Sequence, residues 1–314
     1  MRDARRRTFF LIFLAGLAVI GLRTTRGAQD PGAQVSPGQK AYNDPVGQTY
    51  DYAFGKDSIS LPGNAAVEGG GFLKPDAFPD AEYCGHCHEE AYHQWRQSLH
   101  SNAFRTPFYR TSVNILIRTR GVEFSRHCDS CHNPVGVLTG ALTKGSTADR
   151  SFDRDGLTCM TCHSIQKVQS TLGNGSYVMG VPSVMVDEQG NRIPGKVPYG
   201  DILEHPERHA KAVMRDLLHQ PEFCSACHKA NLPPQLNAYK WIRAFTAFDE
   251  WQNSKFSQRN PLTFYTADFV PCQGCHMPRK PNELPDYGAK NGTLVSHRWL
   301  AGNTAVPFYY GFDE

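Results

Sequence analysis

Cys84-Gly-His-Cys87-His88 is the first of five copies of the pattern Cys-x-x-Cys-His in this chain. The other copies begin at Cys128, Cys159, Cys224 and Cys272, and together the five use all ten cysteines. Two thiols three positions apart can each add to one vinyl group of a haem, and the adjacent histidine then faces the iron as its proximal ligand. The pattern therefore predicts five covalently attached haem c groups.

We call these motifs sites one to five, in chain order. The predicted thioether cysteines are Cys84, Cys87, Cys128, Cys131, Cys159, Cys162, Cys224, Cys227, Cys272 and Cys275. The predicted proximal ligands are His88, His132, His163, His228 and His276. Disulfides would not need a histidine after every second cysteine, and zinc sites made from paired Cys-x-x-Cys motifs would need an even number of pairs or extra ligands. Both alternatives explain the pattern less well than haem does.

Eight further histidines are available for at most five distal positions. The leading candidates are His100, His209 and His297, followed by His127 and His219, with His205 and His93 in reserve and His86 expected to be exposed. A second histidine on each iron would give six-coordinate haems suited to electron transfer, whereas an open position would permit chemistry at the iron. If residues 89–100 form one continuous helix, His100 lies about 18 Å along the axis from His88 and must serve a different haem.

The composition indicates a small polypeptide core. Hydrophobic residues make up 40% of the 314 positions, and the chain contains 28 glycines and 21 prolines. Haem macrocycles would supply the missing apolar volume, so we expect no stable fold without them. The predicted fold class is mainly α with extensive irregular loops and a small β-hairpin lobe, wrapped around a stack of five haems. The predicted helices span 89–100, 110–122, 206–220 and 239–256, and the predicted strands span 177–179 and 184–186.

Three segments are predicted along the chain: a signal peptide or N-terminal anchor at 1–27, an extended Gly/Pro-rich arm at 28–80 and a pentahaem cytochrome c domain at 81–314. The first combines a basic start with an apolar run, so we expect export to the periplasm or the extracellular space, with possible anchoring by this segment. Six of its residues are arginines, which leaves the rest of the chain slightly acidic and excludes a nucleic-acid surface.

The stretch Tyr83-Cys-Gly-His-Cys-His88, followed by Trp95-Arg-Gln-Ser98-Leu-His100, resembles the multihaem cytochromes related to the tetrahaem electron carrier of ammonia oxidisers. Hydroxylamine oxidoreductase and the pentahaem nitrite reductases are more distant relatives of that group. Further matching stretches are Gly156-Leu-Thr-Cys-Met-Thr-Cys-His163, Phe223-Cys-Ser-Ala-Cys-His228, Trp251-Gln-Asn-Ser254 and Cys272-Gln-Gly-Cys-His-Met-Pro278. The resemblance covers most of residues 80–300.

This resemblance implies that the first helix lends His100 as distal ligand to another haem, and that His209 and His297 are distal ligands. It also implies haems stacked in close parallel and perpendicular pairs. The chain departs from the family by having five motifs instead of four. It has no Cys-x-x-Cys-Lys motif, so the lysine-ligated active haem of the nitrite reductases is missing. No catalytic residue is predicted.

The function expected from these features is electron transfer between redox protein partners outside the cytoplasm. One alternative is a reductase or oxidase that acts on a small nitrogen or sulfur species at a five-coordinate haem. A second alternative is a subunit of an extracellular cytochrome filament, a homo-oligomer or a membrane redox complex, with the 28–80 arm docked on a neighbour.

Overall fold

The computed structural model describes residues 63–142, 155–259 and 268–301, which are mostly helical with small sheets and loops, as the sequence predicted. The predicted signal segment and the first part of the predicted arm lie outside these residues. The helices are α1 (Ala81–Gly85), α2 (Glu89–Gln97), α3 (Pro107–Arg120), α4 (Val122–His132), α5 (Pro134–Leu138), α6 (Cys159–His163), α7 (Tyr199–Glu204), α8 (Pro206–Val213), α9 (Pro221–Ser225), α10 (Pro234–Asn237), α11 (Ala247–Gln252) and α12 (Cys272–His276). Short 3-10 turns span Pro75–Ala77 and Asp216–His219.

The strands are β1 (Ala66–Val67), β2 (Ile165–Val168), β3 (Tyr177–Met179), β4 (Ser183–Val186), β5 (Arg192–Pro194), β6 (Ala230–Leu232), β7 (Ile242–Phe245), β8 (Arg279–Pro281) and β9 (Thr293–Val295). One sheet has the order β1-β3-β2, in which β1 runs parallel to β3 and β2 antiparallel to it. The other pairs are antiparallel hairpins: β4 with β5, β6 with β7, and β8 with β9.

Every Cys-x-x-Cys-His motif lies on or next to a single short helix. At site one, the Asp80 side chain caps α1 by accepting a hydrogen bond from the amide of Tyr83 at 2.8 Å. At site three, Thr158 and Thr161 form a reciprocal capping box at the start of α6. Because one helical turn holds residues three and four apart on the same side, each turn places its two thiols and its histidine together.

The helix that follows site one is shorter than the sequence predicted. It ends at Gln97 instead of His100, because the Ser98 side chain turns back and donates to the carbonyl of Trp95 at 2.7 Å. The indole of Trp95 is buried and donates to the carbonyl of Leu157 at 2.7 Å, which ties this helix to the segment before site three. His100 therefore lies in a turn that leaves the helix.

The described apolar core is small and centres on the β1-β3-β2 sheet. Its buried residues are Ala65, Val67, Leu73, Leu138, Ile165, Tyr177, Met179 and Ala226. The hydroxyl of Tyr177 donates to the carbonyl of Ser130 at 2.7 Å, which joins the sheet to α4. Residues 63–80, the end of the predicted arm, contribute a strand and several core side chains, so this part of the arm packs on the motif-bearing residues.

The two strands predicted near residue 180 form, but they do not pair with each other. Strand β3 joins the core sheet, whereas β4 pairs with β5 across a turn in which Asp187 accepts from the amide of Asn191 at 2.7 Å. Helix α8 packs on β4, and the Arg208 guanidinium donates to the carbonyl of Val186 at 2.8 Å. The predicted small β-lobe is therefore one hairpin, covered by the helix that carries His209.

Two predicted helices are wrong in extent or type. The helix predicted at 206–220 ends at Val213. Near this end, the Arg215 side chain donates a hydrogen bond to the carbonyl of Ala212 at 3.0 Å. The helix predicted at 239–256 is instead strand β7 followed by α11. Its aromatic residues suggested helical spacing, but β7 pairs with β6 after a turn in which Ala238 adopts a φ of 53°.

None of the helices within 63–142, 155–259 and 268–301 combines the length and the apolar character needed to cross a bilayer.

Candidate functional site: five cysteine–histidine motifs

The cysteine thiols of different motifs lie next to each other. None of the ten cysteines forms a disulfide. The thiol of Cys84 contacts that of Cys159, which joins sites one and three. The pairs Cys131–Cys227 and Cys224–Cys272 likewise join site two to site four and site four to site five. These contacts group site one with site three, and site four with sites two and five, although 31 to 65 residues separate successive copies in the chain.

The buried thiols of Cys128 and Cys162 are held in the neutral form. Burial raises the pKa of Cys128 to about 12, and burial together with the neighbouring Cys227 raises that of Cys162 to about 12. The proximity of Cys162 to Cys227 also places site three beside site four. A thiol of this kind is protonated at neutral pH, so these two cysteines are poor metal thiolates.

Four of the five motif histidines are oriented through Nδ1. His88 contacts the Asp286 carboxylate at 2.9 Å, and His132, His163 and His276 contact the carbonyls of Ala103, Val213 and Leu300 at 2.9, 2.8 and 2.8 Å. A carbonyl or carboxylate partner fixes the proton on Nδ1 and leaves the lone pair of Nε2 free to bind a metal. This is the arrangement that an axial imidazole ligand requires.

At site one, a second histidine faces the motif histidine. The ring centres of His88 and His209 are 6.1 Å apart, with 21° between the ring planes. Nδ1 of His209 contacts the carbonyl of Val184 at 2.6 Å, so its Nε2 is also free. Metal–imidazole bonds are about 2 Å long, so two imidazoles on opposite sides of one metal have ring centres about 6 Å apart. The pair fits that span.

Site four has a corresponding pair. The ring centres of His100 and His228 are 5.9 Å apart, with 76° between the planes. Nδ1 of His100 is buried and has no hydrogen-bond partner among the described residues. A buried polar atom without a partner costs free energy, and a bound cofactor in this position would offset part of that cost. The sequence predicted that His100 would serve a haem other than the first, and the structure places it against site four.

At site three, His297 has the largest electrostatic effect of any other histidine on the pKa of His163. Burial lowers the pKa of His163 to about 4, the hydrogen bond to Val213 opposes this effect, and His297 contributes to the lowering. His297 contacts the carbonyl of its neighbour Val295 through Nδ1 at 2.8 Å, and its amide donates to the Gln94 side chain at 2.7 Å. Gln94 is itself buried, so both the backbone and the ring of His297 are held by hydrogen bonds.

Burial keeps these imidazoles neutral. It lowers the pKa of His100 to about 3, with contributions from the nearby His228 and His297. Burial also lowers the pKa of His132, His209, His228 and His297 below the ordinary value. Only the neutral imidazole has the lone pair that binds a metal, so this environment favours ligation over protonation at neutral pH.

Site two has a different environment. The ring of Tyr109 stacks on His132, with 3.8 Å between the ring centres and 6° between the planes. The Tyr109 hydroxyl donates to the carboxylate of Asp129, which is buried. No other histidine ring contacts His132 in the part of the chain that the structure describes. The sequence had no signal for this tyrosine, which lies 23 positions before the histidine that it covers.

The two remaining predicted distal candidates, His127 and His219, have different surroundings. His127 is buried, and its Nε2 is engaged by the carbonyl of Asn231 at 3.0 Å, within a network that includes Asn174. His219 is exposed. It lies next to site five, because the side chain of Gln273 donates to the carbonyls of the two residues flanking His219 at 2.8 Å each.

The reserve histidines are exposed, as the sequence predicted for His86. His86 stacks on Tyr199 at 4.1 Å, and with His93 it lines a surface cavity of about 600 Å³. His205 lies 3.7 Å from the carboxylate of Glu207. Within the described ranges, no three or more His, Cys, Asp or Glu side chains are grouped so that they could hold a metal ion between them.

Taken together, the donor set fits c-type haem. Paired thiols stand beside each motif histidine, burial lowers the pKa of three motif imidazoles, those of His132, His163 and His228, and two motif imidazoles, those of His88 and His228, face a second imidazole at the span of one metal. Residues that sequence reasoning did not identify are Asp286, Tyr109 and Trp299, whose ring lies 4.3 Å from that of His100. Each of these residues contacts a histidine that is distant in the sequence, so no local sequence pattern reveals its position.

The comparison with protein families agrees with this chemistry over part of the chain. No curated protein matches it. Among solved structures, a penta-heme cytochrome c552 from Thermochromatium tepidum is similar, with a TM-score of 0.43 and 16% identity over 73% of this chain. The match covers 58% of that protein, less than two thirds of its length. Residues 83–164, which hold sites one to three, match the family described as cytochrome c554 and c-prime, so this segment is similar to multihaem c-type cytochromes and supports haem c as the cofactor.

Proposed function

We propose that this protein is an electron-transfer cytochrome that holds five haem c groups and exchanges electrons with redox protein partners outside the cytoplasm. The observation that carries the proposal is the pairing of imidazoles. His88 faces His209 at 6.1 Å and His228 faces His100 at 5.9 Å. An iron with two histidine ligands has no open position for a substrate and exchanges electrons with little rearrangement.

The residues proposed to hold the cofactors follow from the motifs and the facing rings. The ten cysteines attach the macrocycles, and the five motif histidines are the proximal ligands. We assign His209 as the distal ligand at site one, His297 at site three and His100 at site four. His219 is the candidate at site five, because its neighbours contact that motif. When bound, each haem c supplies reversible one-electron exchange between ferric and ferrous iron.

The protein contributes the arrangement of the sites. Thiol contacts place site three beside site one, and site four beside sites two and five. The closeness of Cys162 to Cys227 completes the connection between sites three and four. Site four is thus the junction of the cluster. Backbone carbonyls and Asp286 hold the imidazoles in place, so the ligand shell needs little reorganisation when an electron arrives or leaves.

The number of haems is tested by the mass of the purified intact protein. We expect a mass equal to that of the chain plus five haems. Treatment with an alkylating reagent should add no further mass, because no cysteine thiol is free. Ten alkylated cysteines and no added haem mass would reject the proposal.

The ligand pairs are tested by electron paramagnetic resonance and optical spectra of the oxidised protein. His100→Ala is expected to convert one low-spin haem to high spin and to leave the others unchanged. His205→Ala, which removes an exposed histidine, is the matched control and should leave every haem as in the wild type. An unchanged spectrum for His100→Ala would remove this residue from the ligand set.

A second function is supported by the surroundings of His132 at site two. Tyr109 stacks on His132, and no second histidine ring contacts His132 among the described residues. An iron held at this site by His132 alone would have an open position. That position suits a small nitrogen or sulfur species. A high-spin signal that shifts when nitrite, hydroxylamine or cyanide is added would support the enzyme. If all haems are low-spin and bind none of these three ligands, the enzymatic function is rejected and electron transfer remains.

The proposed location and partners follow from the chain outside the described residues. The 1–27 segment has the pattern of an export signal, and attachment of haem c takes place outside the cytoplasm. We propose periplasmic or extracellular localisation, with the 28–62 residues available to a neighbouring subunit or membrane redox complex. N-terminal sequencing of the mature protein identifies cleavage near residue 27. A deletion of 28–62 that leaves the oligomeric size unchanged would argue against the docking role.

A further inference from the structure

The indole of Trp299 contacts the histidines of two different sites. Its ring centre lies 4.3 Å from that of His100 and 5.5 Å from that of His297, and both contacts are edge-to-face, at 75° and 84°. These are the histidines assigned above as distal ligands of sites four and three. The tryptophan therefore bridges two imidazoles that belong to separate cofactors.

The backbone around this tryptophan is constrained. Trp299 adopts a φ of 49°, a left-handed conformation that a bulky residue rarely takes without support from its surroundings. The support comes from both sides. The amide of Ser296 donates to the carbonyl of Pro278 at 3.0 Å, and the carbonyl of Leu300 accepts from Nδ1 of His276 at 2.8 Å. Residues 296–300, which we call the C-terminal strap, thus reach sites three, four and five.

His100 depends on this strap more than the other distal candidates do. Nδ1 of His209 and of His297 contact the carbonyls of Val184 and Val295, which fix the rotation of each ring. Nδ1 of His100 has no hydrogen-bond partner among the described residues, so no such bond fixes its ring. Packing must then orient the imidazole, and the edge-to-face contact with Trp299 at 4.3 Å is closer than the ring contact with His228 at 5.9 Å.

We infer that Trp299 is a positioning residue that orients the distal imidazole of site four and couples it to the distal imidazole of site three. The inference rests on the proposed function, since it requires His100 and His297 to be iron ligands. Trp299 itself is not assigned as an iron ligand. A change in the ring position at one of the two sites is transmitted to the other through the indole, because both imidazoles share it.

The test compares Trp299→Leu, which removes the aromatic ring, with Trp299→Phe, which keeps a smaller one. We expect Trp299→Leu to retain five haems by intact mass, to shift the low-spin resonance signals of two haems and to convert part of one to high spin. Trp299→Phe should fold as the wild type does and show a smaller shift of the same signals. Spectroelectrochemical titration should show changed midpoint potentials for the same two haems in both variants.

The matched control is Trp251→Leu. This indole contacts Phe248 and Phe269 and donates to the carbonyl of Val270, so its loss perturbs packing without touching a histidine of a site. It should leave the resonance signals unchanged. Equal spectra for Trp299→Leu, Trp299→Phe and wild type, or the same shift in Trp251→Leu, would overturn the inference.

Parallel variants separate this inference from the proposed function. If His100→Ala and His297→Ala each open one haem while both Trp299 variants leave the spectra unchanged, the ligand assignments hold and the positioning role fails. If neither histidine variant opens a haem, the ligand assignments fail and the positioning role fails with them.

Discussion

The carboxylate of Asp286 accepts a hydrogen bond from Nδ1 of His88 at 2.9 Å, although the two residues are 198 positions apart. The Asp286 side chain is fully buried and also accepts from the amides of Ala91 and Gly288. Burial opposes ionisation, but the hydrogen bonds from His88 and these amides hold the pKa of the carboxyl below its ordinary value. Site one is therefore the motif whose histidine has an anionic partner.

Asp286→Asn is expected to raise the midpoint potential of the haem at site one. A carboxylate increases the basicity of the imidazole and so favours ferric iron, and the neutral amide lacks this effect. Asp286→Ala should in addition lower the free energy of unfolding by about 2 kcal/mol, since a buried hydrogen bond to a charged group is lost. Spectroelectrochemical titration and denaturant unfolding measure the two effects. Asp201→Asn, an exposed aspartate in α7, is the control, and equal potentials in both variants would contradict the prediction.

His209→Ala is expected to open site one. The imidazole that faces His88 at 6.1 Å is removed, so one haem should change from low to high spin and bind added cyanide. Resonance spectra with and without cyanide provide the measurement. His205, exposed at the start of the same helix, supplies the matched alanine control. A wild-type spectrum for the His209 variant would mean that another group ligates this iron.

His127→Gln is expected to reduce stability without changing any spin state. The histidine is buried and its Nε2 contacts the Asn231 carbonyl at 3.0 Å, so the substitution should lower the free energy of unfolding by about 1–2 kcal/mol. Denaturant unfolding combined with resonance spectra measures both properties. The appearance of one new high-spin haem would show instead that His127 is an axial ligand.

The chain produced without haem attachment is expected not to fold cooperatively. Among the described residues, the apolar cluster around the β1-β3-β2 sheet holds only eight buried side chains. Circular dichroism during thermal unfolding, with the haem-loaded protein as the control, measures the transition. A cooperative transition in the haem-free chain would show that the polypeptide supplies a sufficient core by itself.

Local patterns in the sequence were sufficient for the features that depend on neighbouring residues. The motifs themselves, the helix beginning at Glu89 and the strands at Tyr177 and Ser183 all depend on residues within a few positions of one another. The prediction of one helix at 239–256 was wrong because aromatic residues occur in strands as readily as in helices. Pairing of β7 with β6, together with the turn at Ala238, decided between them.

The sequence by itself determined which residues can attach haem, because thioether chemistry needs only two thiols and a histidine on one turn. The tertiary structure alone decided which motifs are neighbours and which histidines face each other. His88 meets His209, and His228 meets His100, across more than a hundred residues in each case. The groups that orient these imidazoles are mostly backbone carbonyls, which every residue possesses. Their roles depend on position in space, so no sequence pattern records them.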